Sequence, residues 1–182
     1  MNRRRYSFAD FAILIRDLCQ LRRDPADVPY STLLLYLLIV VGIGIDVASG
    51  LVVENASNVL ARSLLSTGLV LALCWIALAI RGLSNRYVQT ATALAACGIV
   101  FSLLVLPVVW MMGVLPVPPA PLKPHQVLLG WVMLGILLWS LAVTAHILRH
   151  ALDGPFAFGL ALATAWAVAN WALARVLFDA AG

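Results

Sequence analysis

Five long apolar stretches, each nearly free of charge, recur along this chain. They cover about 31–53, 59–80, 87–112, 126–148 and 156–178. A bilayer core of about 30 Å is crossed by about 20 helical residues, each advancing about 1.5 Å. Each stretch is long enough to cross once. The rest of the composition agrees: 63% of residues are hydrophobic and 11% are charged, with a mean hydropathy of +1.00. A soluble domain carries about 25% charged residues, so a soluble globule is excluded, and disorder with it. At 182 residues the chain suits one domain. The predicted fold class is all-α: a polytopic membrane protein with five transmembrane helices and an N-terminal amphipathic interfacial helix.

Residues 1–29 form the polar part, ahead of a five-helix bundle over 30–182. This part holds six of the twelve Lys and Arg residues and four of the eight Asp and Glu residues. Phe8, Phe11, Ala12, Ile15, Leu18 and Cys19 recur at helical spacing, and Asp10, Asp17 and Gln20 fall mostly elsewhere on the wheel. Ser7 followed by Asp10 resembles the start of a capping box. The pattern predicts an amphipathic helix lying at the membrane interface, or one packed beneath the bundle. Pro25 and Pro29 are expected to end it. Asp10, Arg16 and Asp17 interrupt the stretch after Arg3, Arg4 and Arg5, so no cleavable signal is expected there.

Orientation follows from where the basic residues lie. With the N-terminus in the cytoplasm, nine of them face inward: Arg3, Arg4, Arg5, Arg16, Arg22, Arg23, Arg81, Arg86 and Arg149. Three face outward: Arg62, Lys123 and Arg175. Cytoplasmic loops carry such an excess, so the C-terminus is predicted outside. The positive net charge is thereby accounted for by headgroup contact, and nucleic-acid binding is not expected. The Gly113–Pro124 loop holds Pro116, Pro118, Pro119, Pro121 and Pro124, which predicts an extended, stiff connection. A kink is expected at Pro107. Five spans do not divide into equal inverted halves.

Asp46 is the first candidate for chemistry. A carboxylate within a span costs about 2.5–3.5 kcal/mol on insertion scales and faces the bundle interior or water. Gly42, Ser49 and Gly50 around it are small and admit another helix. At about 1.5 Å per residue, Asp46 stands roughly 22 Å from the cytoplasmic edge. Thr67, Ser102 and Asn170 reach a similar depth, and Arg175, about a turn further out, is the candidate counter-ion. These five residues form the predicted intramembrane polar cluster. It binds a proton, ion or lipid headgroup, or it hydrogen-bonds helices together. A third alternative has the first helix stop short, with Asp46 capping its end in water.

Other motifs are weaker. His146 and His150 share a face at i, i+4 and are the weak metal candidates, more simply read as interfacial histidines. No metal and no cofactor is expected. His125 and His146 lie at opposite ends of one helix, which sets haem aside. Cys19, Cys74 and Cys97 fit neither a disulfide nor a metal framework. Trp110 and Trp131 suit an outer aromatic belt, and Trp75 and Tyr87 an inner one. Trp139 and Trp166 are expected to pack or to line a cavity. Ala157, Ala161, Ala165 and Ala169 make a small-residue stripe that allows close helix approach, within the chain or to a second subunit. No Ser/His/Asp set, phosphate loop or carboxylate pair is found, so no enzyme activity is expected.

The stretch from Leu137 to Ala161, LLWSLAVTAHILRHALDGPFAFGLA, places a Trp-bearing helix ahead of a basic, glycine-containing turn. Together with the five-span pattern, it resembles the Yip family of Rab-interacting membrane proteins and its bacterial relatives. The Asp-Leu-Tyr-Gly-Pro type motif of eukaryotic members is missing, and Asp24-Pro25 through Pro29-Tyr30 is no more than an echo of it. The resemblance implies a non-enzymatic protein that scaffolds or assists other membrane components. Abundant Ala, Leu, Arg and Trp beside a single lysine point to a GC-rich bacterial genome, and so to the bacterial inner membrane. The expected function is that of an accessory or scaffolding protein. Its expected partners are the lipid bilayer and either a membrane-protein partner or a second copy of the chain. The alternative is a small carrier or channel subunit using the cluster around Asp46.

Overall fold

A computed structural model of the chain describes residues 8–53, 58–112 and 123–179. The Pro-rich connection over 113–122, together with Ser7 and Arg3 to Arg5, lies outside them. Among the described residues the fold is all-helical. A short α1 (Phe8–Cys19) precedes α2 (Thr32–Val53), α3 (Val59–Ile80), α4 (Tyr87–Met112), α5 (Pro124–Ala151) and α6 (Phe156–Ala174). Helices α2 to α6 are long and apolar enough to cross a membrane, and the chain is a multi-pass membrane protein. α5 starts earlier than the 126–148 expectation and ends later. Pro124 occupies its first turn, where a missing N–H costs nothing, and Gln126 Oε1 accepts from Lys123 N at 3.0 Å. Gln126 Nε2 also donates to Met112 O at 3.2 Å, tying the start of α5 to the end of α4. α4 continues through Pro107 without a break. α6 is shorter than 156–178, because its last stretch, Arg175–Asp179, winds as a π-helix.

Turns at one end of the bundle are built alike. α3 ends at Gly82, with φ +70°, where Leu83 N donates to Leu78 O at 2.8 Å. α5 ends at Asp153, with φ +49°, where Gly154 N donates to Arg149 O at 2.9 Å. α1 ends the same way: Leu21 takes φ +62° and Arg22 N donates to Asp17 O at 2.9 Å. These six-to-one bonds are Schellman closures. The prolines therefore do not end α1, contrary to expectation. Pro25 instead opens a 3-10 turn, Pro25–Asp27, whose first N–H groups are capped by Asp24.

The helices form a ring in the order α2, α4, α5, α6, α3, with α3 closing back on α2 and also touching α4. The buried core gathers at the end carrying α1. Leu14, Ile15, Leu18 and Cys19 of α1 are buried against α4 and α5, near Cys97, Val143 and Ile147. Asp10, Ala12, Ile13 and Arg16 on its other side are exposed. Trp139 Nε1 donates to Cys19 O at 2.9 Å, and Gln89 Nε2 donates to Val28 O at 3.0 Å. The N-terminal segment is thus fastened along α4 and α5 by apolar burial and hydrogen bonds together. α2 is the barest span: Leu33, Tyr36 and Val40 are each about two-thirds exposed, as lipid-facing residues are.

Candidate functional site

Beside the packed core, the ring opens: Cys97 and Ile147 of that core also line the space between the helices. A cavity of about 350 Å³ lies between the helices, with wall residues from all five spans. Asp46 comes from α2, Ser66 and Thr67 from α3, Ser102 from α4, Thr144 from α5, and Trp166 and Asn170 from α6. A second cavity of about 760 Å³ adjoins it, walled by Arg62 and Ser63 of α3 and by Trp171 and Arg175 at the far end of α6. The two share Asp46, Ser66, Leu137, Ala167 and Asn170. Asp46 therefore stands where one passes into the other.

The sequence-derived cluster is brought together on these walls. Thr67 and Ser102 line the inner cavity, Arg175 lines the outer one, and Asp46 and Asn170 line both. Ser102 Oγ donates to Asp46 Oδ1 at 2.8 Å across the α2–α4 contact. α2 continues to Val53, so Asp46 does not cap a helix end; an apolar run through Leu51 sustains the helix past it. Gly50 lets α2 and α3 cross closely there, since a Cβ on it meets the Val59 side chain. Arg175 lies over the Trp171 ring, 5.2 Å from its centroid.

Ser63 and Ser66 were not singled out from sequence. Both stand one turn from Arg62 or Thr67 on the same helix, which is the signal that could have found them. Ser63 is 6% exposed, and its Oγ has no hydrogen-bond partner among the described residues. An unsatisfied buried hydroxyl costs on the order of 1–3 kcal/mol unless something meets it.

The other candidates lie elsewhere. His146 and His150 sit at the α1 end with rings 4.6 Å apart. His146 Nε2 lies 3.0 Å from Arg23 O, and His150 Nδ1 lies 3.2 Å from Asp24 Oδ2. Their nitrogens hold the N-terminal segment, and no group of three metal-ligating residues occurs among the described residues. Nearby, Arg86 Nη1 lies 2.9 Å from both carboxylate oxygens of Asp153 and reaches His150 O at 3.4 Å, closing the end of α5. The alanine stripe does not pack within the chain. Ala157, Ala161 and Ala165 are exposed and Ala169 is half-buried. The face that meets α5 is Gly159, Ala163 and Trp166, offset around the helix. Trp75, Trp110 and Trp131 are all more than half exposed, and Trp139 partly so, while Trp166 is buried on the cavity wall.

No family model, curated protein or solved structure matches the chain.

Proposed function

We propose that this protein is a non-enzymatic membrane component that binds a small ligand through a cationic or proton-bearing group at Asp46, as a carrier or channel subunit. One observation carries this: an intramembrane carboxylate, oriented by Ser102, faces a cavity that every span lines. A carboxylate kept only to join two helices has no need of such a space. Ser66, Thr67, Thr144 and Asn170 line the same cavity and add hydroxyl and amide groups, neutral dipoles for a bound cation, to its wall. The setting we propose is the bacterial inner membrane, with the N-terminus cytoplasmic, the C-terminus periplasmic and α1 at the inner interface. The excess of arginine at that end supports it.

Reconstituted liposomes test the proposal. Proton or small-cation flux is expected with the full chain, and Asp46→Asn is expected to reduce it at least about tenfold, the scale of one lost charge-assisted contact. The amide keeps an acceptor for Ser102, so the variant preserves the helix contact. Equal flux for Asn and Asp at this position overturns the proposal.

A second function, the accessory or scaffolding role implied by the Yip-family resemblance, is favoured by the outward alanine face of α6. Small residues there permit close approach by another membrane helix. Extraction in native nanodiscs, followed by mass spectrometry, is expected to recover a stoichiometric partner if that role holds. Recovery of the chain alone counts against it.

A further inference from the structure

The inner cavity gathers its polar groups toward one end. By helical rise, Asp46, Ser66, Thr67, Ser102 and Asn170 fall at about one level of the bundle, and all five line the space. From there toward the α1 end its wall turns apolar. Leu38 lies eight residues before Asp46 on α2, and Leu94 eight before Ser102 on α4. Leu71 lies four residues past Thr67 on α3, and Trp166 four before Asn170 on α6. At about 1.5 Å per residue, the apolar wall runs about 12 Å from the carboxylate. On α5, Ser140 Oγ donates to Leu137 O at 2.8 Å, and Thr144 adds a hydroxyl to this part of the wall. Phe101 and Trp166 are both buried and add aromatic rings; Phe101 meets the Trp139 ring edge-on, with centroids 5.3 Å apart. Gly98, one turn before Ser102, also lines the space, and a Cβ there meets no atom within 4 Å. A proton or a metal ion uses no such wall. A metal ion takes several oxygen ligands, and no group of three His, Cys, Asp or Glu residues able to hold one occurs among the described residues. At about 350 Å³ the cavity falls in the range of small-molecule sites, which are mostly apolar with a few placed polar groups.

We infer that the inner cavity binds an amine with an apolar or aromatic body, its ammonium group at Asp46 and its body along the wall formed by Leu38, Leu94 and Trp166. This deepens the proposed function and rests on Asp46 as the cation anchor. An alkylammonium group brings up to three N–H donors, and Asp46, Ser66, Thr67 and Asn170 supply acceptors at that end. Aromatic faces on the wall attract an organic cation as well as its apolar body. No covalent step is involved.

The test is binding to the purified full chain, read by ligand-induced thermal shift with phenethylamine, ethylamine and phenethyl alcohol. Phenethylamine is expected to bind at least about tenfold more tightly than ethylamine, the scale of burying a few more apolar carbons. It is expected to exceed phenethyl alcohol, which has the body without the charge, by at least about tenfold as well. Asp46→Asn is expected to remove the advantage over the alcohol, and Gly98→Leu the advantage over ethylamine. The leucine grows into open space and replaces a poor helix former, so this variant is expected to fold as the parent does. If ethylamine binds as tightly as phenethylamine and Asp46→Asn weakens both, the site for the body fails and the cation anchor stands. If phenethyl alcohol binds as tightly as phenethylamine and Asp46→Asn changes neither, the two fail together. If no probe binds, the amine site is overturned, and cation flux through Asp46→Asn decides the anchor alone.

Discussion

Gly82 shows how a single backbone angle governs a helix end. Its φ of +70° lies in the left-handed region, and a Cβ there meets no atom within 4 Å. The cost of adding one is therefore conformational and not steric. Gly82→Ala is expected to lower stability by about 1 kcal/mol, measured by thermal unfolding in detergent. Asp46 was legible because a carboxylate in an apolar run has few places to go. Ser63 and Ser66 were not, because a hydroxyl in a span commonly bonds its own preceding turn. Ser49 does so, donating to Ile45 O at 2.9 Å. Only neighbouring helices decide which serine is used in that way and which faces a cavity.

α6 separates two kinds of small-residue face. The alanine stripe that periodicity made conspicuous turns outward. The working contact is Gly159, where a Cβ meets Ala145 O and stands 3.1 Å from Arg149 N. Both are backbone atoms and have little room to yield. Gly159→Ala is expected to force α5 and α6 apart at about 1–3 kcal/mol, whereas Ala161→Gly on the outer face costs no more than helix propensity. Comparing the two unfolding temperatures checks this. α1 is held differently, by a short apolar face. Leu18, fully buried there, covers the neighbourhood of Cys19 and Cys97. Leu18→Ala is expected to cost at least about 2 kcal/mol. It is also expected to speed maleimide labelling of those two thiols several-fold, counted by intact mass, with Cys74 labelling slow throughout. Unchanged labelling of Cys19 would show that α1 is held without this face.

Across the whole molecule, the N-terminal segment and the cavity lined by Arg62 and Arg175 stand at opposite ends. The α1 end is held by buried apolar residues and by bonds from His146, His150, Gln89 and Arg86, around a cavity of about 230 Å³. The other end contains the charged cavity. Among the described residues, Arg16, Arg22, Arg23, Arg81, Arg86 and Arg149 belong to the α1 end or to turns beside it, against Arg62, Lys123 and Arg175 elsewhere. A reporter fused to the C-terminus is accordingly expected to be active only outside the cytoplasm, and activity inside reverses the proposed orientation. The five spans and their approximate limits were determined by sequence alone, because hydrocarbon admits no long charged or unpaired backbone segment and the apolar runs are longer than any alternative use requires. Helical rise aligned Asp46, Thr67, Ser102 and Asn170, and all four line the inner cavity. Which way each of them turns about its helix axis was not legible. Apolar spans look alike on all sides when lipid and protein neighbours are equally apolar, so periodicity carries little rotational information. Only the packing of α2 against α4, and of α5 against α6, placed Asp46 toward Ser102 and the cavity, and turned the alanine stripe away.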